Sequence, residues 1–418
     1  MDNAMTDDVI NKSGKLSRRD LLRAGAAAAG GLALSALATP NLAHAYLPGA
    51  DQFGPLQPAD ANGLMLPPGF TSRVVAVSGV VVPNTSHTWH ANPDGGATFP
   101  VEGGGWIYVS NAESDGGAGG VSAIRFASDA SVVDAYSILS GTARNCAGGP
   151  TPWGTWLSCE ETDDGRVYDC DPYTAGSEGT LAAGLGSFKH EAAAVNPTLK
   201  KVYLTEDQRD GLFYRFTPNA YPNLQSGALE ALEILDPQSQ GPIALGQKRH
   251  VVWRPIAEPN PVEGGIQQPT SLPLSARATR FQTPNATVFD GGEGCWLHDN
   301  DLYFSTKGNN RVWRLHCKTD EIEIVYDLAT SSMPVLSNVD NVFAGPNGDV
   351  YVSEDPGNLQ IVALTPSGNV KPFVRMVGQR GTEVTGPALN PDGTRLYFSS
   401  QRNPGTTYEV TGPFLGRN

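Results

Sequence analysis

A short pattern returns six times along this chain: an aromatic residue, an apolar residue, then Ser or Thr, with a turn upstream. The copies are Tyr108-Val109-Ser110, Trp156-Leu157-Ser158, Tyr203-Leu204-Thr205, Tyr303-Phe304-Ser305, Tyr351-Val352-Ser353 and Tyr397-Phe398-Ser399. Successive aromatics are 48, 47, 100, 48 and 46 residues apart. One period, doubled once, marks a repeat architecture. The cleanest repeat reads as four strands, at 341–343, 350–353, 360–364 and 370–376, separated by turns such as Pro346-Asn347-Gly348-Asp349. β-branched and aromatic residues alternate with polar ones there, as in half-buried strands, and four antiparallel strands per repeat is a propeller blade. After Tyr397 only one strand remains, at 406–410, while an orphan strand at 71–77 precedes the first copy. The sequence therefore predicts an all-β fold, a six-bladed β-propeller whose N-terminal strand completes the final blade and removes an open sheet edge. The doubled step holds an insertion at about 237–288, between blades three and four. An excursion of that length is either disordered or a functional cover, and a lid over one propeller face is the expectation.

The first 45 residues read as a targeting segment. Ser17-Arg18-Arg19-Asp20-Leu21-Leu22-Arg23 precedes a weakly apolar run from Ala24 to Ala38, and Ala43-His44-Ala45 offers a cleavage site before Tyr46. Paired arginines before a Gly/Ala-rich run point to a twin-arginine signal peptide, hence to the twin-arginine translocation machinery, export in the folded state and a periplasmic or secreted location. The mature chain is then 46–418, a single propeller expected to be a monomer. The leader carries five basic and four acidic groups, so 24 Lys and Arg face 39 Asp and Glu in the remainder, a net charge of −15. Such a surface argues against nucleic acid and anionic membranes as partners. The cysteines are Cys146, Cys159, Cys170, Cys295 and Cys317, with no CxxC spacing, so a structural zinc site is not expected. An odd count leaves a thiol over; one arrangement pairs Cys159 with Cys170 and Cys295 with Cys317.

In a propeller the first strand of each blade lies innermost, so the residue entering that strand points at the axis. Aligned backwards from the aromatics, these residues are His87 or His90, Cys146, Glu191, Glu293 and Asp340 in blades one to five; blade six offers Thr385-Gly386-Pro387. Three carboxylates and a thiol converging on one axis repel each other unless cations intervene. Oxygen donors suit calcium, and a thiolate adds a donor that a transition metal uses. Just after the aromatic strands, Glu160-Glu161, Glu206-Asp207 and Glu354-Asp355 fall at equivalent places, with Glu113 slightly offset. They read either as further ligands, with Glu160 and Glu161 foremost, or as acidic turns. Lys307 takes the same place in blade four and Arg209 lies close by in blade three, candidate cations for an anionic substrate. His190, beside Glu191, reads either as a proton carrier or as a packed group.

The segment from Asn145 to Glu161, NCAGGPTPWGTWLSCEE, closely resembles the signature of the PhoX-type alkaline phosphatase family, and Phe188-Lys189-His190-Glu191 and Asp340-Asn341 resemble further motifs of it. The resemblance runs from about residue 60 to the C-terminus. It implies a six-bladed propeller that hydrolyses phosphate monoesters, taking small phosphorylated substrates, with ferric iron and calcium on its axis. By motif it implies Cys146 as an iron ligand, Glu191, Glu293 and Asp340 holding iron or bridging to calcium, and Glu161 with Glu160 on calcium. Long family members carry a phosphate-binding arginine in an Arg-Pro pair before the blade-four glutamate; Gly291-Gly292 stand there in this chain, which resembles a short-form member. Two other readings stay open: a calcium-dependent lactonase or esterase, for which Cys146 has no use, and a non-catalytic propeller that binds a ligand on one face.

Overall fold

The computed structural model describes residues 50–235, 243–261 and 272–414. The proposed signal peptide lies outside the described residues, as do parts of the insertion. No described helix is long and apolar enough to cross a membrane.

The chain is all-β and its strands form a propeller-like arrangement of antiparallel meanders. In the first sheet Pro93–Pro100, Trp106–Ala112, Gly119–Phe126 and Val132–Thr142 follow each other in order. The second holds Asn145–Pro150, Trp156–Glu160, Val167–Cys170 and Thr180–Leu181. Val339–Ala344, Val350–Glu354, Gln360–Leu364 and Val370–Met376 form another, with Leu64–Met65 added outside. In the last, Thr71–Val77 pairs with Thr406–Thr411 (Thr71 opposite Thr411, Val77 opposite Thr406). The N-terminal strand thus completes the C-terminal sheet, as the leftover strand required. Without it the edge of Thr406–Thr411 would be open to pairing with another chain.

The sheet count departs from expectation. Five sheets form, because one has nine strands. Arg249–Pro255, inside the insertion, adds to Asn223–Ile234 through five paired residues and then pairs at Arg249 and His250 with Ile322 and Glu321 of Glu321–Asp327. The meander His190–Asn196, Lys201–Glu206, Phe213–Ala220, Asn223–Ile234 is so joined to the meander Gly292–His298, Asp301–Thr306, Arg311–His316, Glu321–Asp327. Two outer edges that would each need covering are covered by this one strand.

The recurring aromatics hold the sheets together. Tyr108, Trp156, Tyr203, Tyr303, Tyr351 and Tyr397 are all buried, each on the second strand of its meander. Burying a side chain of that size is worth about 2–3 kcal/mol. Tyr108 and Tyr397 stack across the closure between the first and last sheets, with centroids 5.0 Å apart. The first strands of the meanders touch in a closed ring, and the last touches the first. Close approach at the axis explains the two glycines after Cys146. A Cβ on Gly148 would lie 1.9 Å from the Leu157 carbonyl oxygen, and one on Gly149 1.7 Å from that of Ala193.

All five cysteines are thiols. Cys159 stands opposite Val167 and Cys170 opposite Trp156, and the two pack in different core clusters on opposite faces of their sheet. Cys295 and Cys317 are separated by the strand Asp301–Thr306. Neither suggested pair has disulfide geometry.

Candidate metal centre

Each of the six innermost strands carries a bulge at the same place. Register breaks between Pro93 and Gly96, Asn145 and Gly148, His190 and Ala193, Gly292 and Cys295, Val339 and Val342, and Thr385 and Ala388. A bulge frees one residue from the ladder and re-aims its side chain. The freed residues are Asp94, Cys146, Glu191, Glu293, Asp340 and Gly386. Four of them are the residues the sequence singled out for blades two to five.

The first meander differs from expectation. Its axial residue is Asp94, buried and within 3.8 Å of Cys146 Sγ. His87 bonds Ser122 Oγ at 3.1 Å, and His90 lies half-buried against Trp89, with desolvation pushing its pKa down to about 3. The first hairpin of that meander is longer, which displaced the backward count from Tyr108; the Gly95-Gly96 pair after Asp94, echoing Gly148-Gly149, was the available signal.

The side chains meet in two overlapping groups. Ligand atoms of Cys146, Glu161 and Glu191 lie within 4.8 Å of one another, and so do those of Glu191, Glu293 and Asp340. Glu191 belongs to both. It is fully buried, and neither carboxylate oxygen has a hydrogen-bond partner. Burial pushes its pKa well up, and the nearby Glu293, Glu161, Asp340 and Asp94 push it further. Burial does the same to Glu293, Asp340 and Asp94, with neighbouring carboxylates adding to it. The Cys146 thiol is raised by desolvation and then by Asp94 and Glu191.

Around this cluster runs a collar of alternating charge. Arg144 Nη2 bridges Glu113 (2.8 Å) and Glu161 (2.7 Å). Lys189 Nζ bridges Glu161 (2.6 Å) and Asp207 (3.6 Å). Lys307 Nζ bridges Glu293 (2.7 Å) and Asp355 (3.0 Å). Arg402 Nη2 bridges Glu113 and Glu383, both at 3.1 Å. Burial raises Glu161, but Lys189 and Arg144 outweigh it and hold the carboxyl below its usual value. Glu383, beside Asp340 and Asp355, is pushed up to about 10, mainly by burial. Inner cluster and collar together bring nine carboxylates against four cations. The shortfall in positive charge and the bare oxygens of Glu191 are what bound metal ions would satisfy, and the oxygen-plus-thiol donor set fits them.

Other expected residues lie elsewhere. Glu160 accepts from the backbone N–H groups of Ala143 (3.0 Å) and Arg166 (3.1 Å), so it ties its own hairpin while Glu161 alone faces the cluster. Glu206 and Glu354 make the same kind of backbone contacts, to Leu212 and to Ser337 and Gln360. In each acidic pair the first residue braces the turn and the second joins the collar. His190 points away from Glu191, stacked on Phe188 at 3.6 Å with Nε2 3.3 Å from the Gly186 carbonyl oxygen. Burial lowers its pKa to about 3, so the ring stays neutral near neutrality. Arg209 is exposed on a rim turn and makes no ion pair among the described residues. Gly291 has φ +67°, a left-handed conformation that disfavours an arginine there, and Lys307 Cβ lies 3.7 Å from where a Cβ would stand. Sequence reasoning missed Asp94, Arg144, Lys189, Glu383 and Arg402; the collar's residues sit at unequal offsets from the aromatics and show no shared spacing.

The channel beneath the cluster narrows to a cavity of about 20 Å³, lined by Gly95, Ala147, Ala192, Gly294 and Val342 among others. That is room for about one water, so the cluster is approached from the collar side.

Fold and site together define an all-β, propeller-like protein with an acidic axial centre. Residues 109–169 and 163–325, jointly just over half of the chain, match the family described as alkaline phosphatase PhoX. The chain belongs to the PhoX alkaline phosphatase family and is a phosphoric monoester hydrolase; membership implies metal-dependent catalysis. Among solved structures it is similar to Pseudomonas fluorescens PhoX in complex with vanadate, a transition state analogue, with 17% identity, a TM-score of 0.69, and coverage of 87% of this chain and 98% of that one. A gluconolactonase from Xanthomonas campestris, XC5397, matches at 11% identity and TM-score 0.49, covering 86% of this chain and 98% of that one. No curated protein sequence matches.

Proposed function

We propose that this chain hydrolyses phosphate monoesters of small molecules at the axial cluster, with ferric iron and calcium held there. The observation that carries the reading is Glu191, shared by two ligand groups with both oxygens buried and bare. Cys146 and Glu191 would hold iron, Glu293 and Asp340 would hold iron or bridge to calcium, and Glu161 would bind calcium. Bound there, the ions supply Lewis-acid neutralisation of the phosphoryl group for in-line displacement. The chain's own part is placement. Six bulges fix the donors, Lys307 holds Glu293 and Asp355, and the packed floor keeps bulk water out from below. Cys146 argues against the all-oxygen calcium centre of a lactonase.

In the same reading the nine-stranded sheet is two blades joined by Arg249–Pro255, which makes six blades around the axis. Contacts from the insertion support its role as a cover: Arg280 pairs with Glu206 (3.1 Å) and Asp210 (3.0 Å) on a rim turn. Residues 1–45 act as a twin-arginine leader, so the metals are loaded before export to the periplasm or beyond. The test is elemental analysis of protein purified from an exporting host, with a phosphomonoester assay before and after chelation. Iron with calcium and chelator-sensitive turnover is the expected result; calcium alone, with lactone hydrolysis and no phosphatase activity, overturns the reading.

A further inference from the structure

Arg144 and Arg402 reach the collar from different sheets and grip the same carboxylate. Arg144 Nη2 lies 2.8 Å from Glu113 Oε1, and Arg402 Nη2 lies 3.1 Å from Glu113 Oε2. Gln401 Nε2 donates to Glu113 Oε2 at 2.9 Å. Two guanidinium groups and an amide on one small anion form the surroundings that a phosphoryl group needs. Glu113 is 8% exposed, while the arginines are the most open cations of the collar, at 37% and 46% against 33% for Lys307 and 22% for Lys189. On a chain of net charge −14, the mouth of the site therefore shows water its cations and hides its carboxylates.

Three further facts separate this cradle from an ordinary surface ion pair. Each arginine has a second anchor, Glu161 for Arg144 and Glu383 for Arg402, so both stay aimed at the mouth once Glu113 leaves. Arg144 has φ +48°, a left-handed backbone costly for a side chain of its size; bonds from its N–H to the Ser114 carbonyl and from Glu161 N–H to its own carbonyl hold it there. Gln401 Nε2 also contacts Asp94 Oδ2 at 2.5 Å, which makes the cradle continuous with the inner cluster.

We propose that Arg144 and Arg402 clamp the phosphate group of the incoming substrate, and that Glu113 is a resident anion which that group displaces. This rests on the phosphomonoester reading above. The chemistry is an exchange of one anion for another between fixed donors, with no bond made or broken. A phosphate dianion competes well with a carboxylate for such a pair because it carries more charge and more acceptor oxygens.

The test uses the full-length, metal-loaded enzyme and three variants: Arg402→Met, Arg402→Lys and Glu113→Gln. Loss of one charge-assisted contact should raise KM and the inhibition constant of inorganic phosphate about tenfold in Arg402→Met, with kcat within about threefold and metal content unchanged. Arg402→Lys should recover part of the loss. Glu113→Gln, freeing both guanidinium groups, should tighten phosphate several-fold. Unchanged KM and phosphate inhibition in Arg402→Met overturns the clamp, and loss of bound metal in Glu113→Gln overturns the resident-anion role. If the wild type hydrolyses no phosphomonoester, calorimetric titration with inorganic phosphate decides separately. Binding weakened by Arg402→Met upholds the clamp while the phosphatase reading fails; no binding by the wild type sinks the clamp.

Discussion

Stripping the metals should make the protein's stability depend on pH in one direction. Glu191, Glu293, Asp340 and Asp94 have carboxyl pKa values raised by burial, and Glu383 reaches about 10. In the unfolded chain all of them ionise near pH 4. Between those limits the metal-free folded state binds more protons than the unfolded state, so stability falls as pH rises and levels off only above the folded values. Groups shifted the other way, such as Glu161, deliver their stabilisation as pH rises past the ordinary carboxylate range and add no slope near neutrality. Each retained proton contributes about 1.4 kcal/mol per pH unit. Taking the proton on Glu383 alone, the loss from about pH 7 to about pH 8.5 is about 2 kcal/mol, or about 3 °C in Tm for a chain of this length, and the raised inner carboxyls act in the same direction. Bound cations replace those protons, so the loaded protein should lack this component. The assay is thermal unfolding across that range, with and without chelator; buried histidines and the other cysteines contribute equally to both arms and cancel in the difference. Equal pH slopes in the two arms would refute the argument that the axial carboxylates need cations.

Two further outcomes are expected. Cys146→Ala should lose iron and activity while its melting curve, measured metal-free, stays within about 1 kcal/mol of the parent, because the thiol's contact with Asp94 is weak and long. Glu160→Gln and Glu161→Gln should separate cleanly: the first costs stability of about 1–2 kcal/mol through the Ala143 and Arg166 amides with metal retained, and the second costs bound calcium and activity, read by elemental analysis beside a melt.

How much of this was legible depended on which residues repeat in phase. The six aromatics gave the number of meanders because a buried ring on every second strand is a packing requirement that recurs with the fold. Cys146, Glu191, Glu293 and Asp340 could be found by counting back 10 to 12 residues from those rings, since the first hairpins of their meanders are similar in length. Asp94 lies 14 residues before Tyr108, and that longer turn was enough to hide it behind two histidines. Glu160 and Glu161 could not be told apart by sequence, because neighbouring strand-end residues face opposite ways and only the bulge phase decides which faces the axis. The collar was invisible for another reason: Arg144, Lys189 and Arg402 act through partners on adjacent sheets, a relation that no spacing within a blade encodes.

The strand Arg249–Pro255 has a mechanical consequence. Elsewhere neighbouring sheets share no strand ladder and meet through side chains and a few loop bonds such as Arg144 N–H to the Ser114 carbonyl; here one seam is stitched strand to strand by main-chain bonds. Breathing of the ring is thereby pushed toward the remaining seams. One of these is the junction of first and last sheets, where the Arg402–Glu113 ion pair and the Tyr108–Tyr397 stack, not a strand ladder, carry the contact.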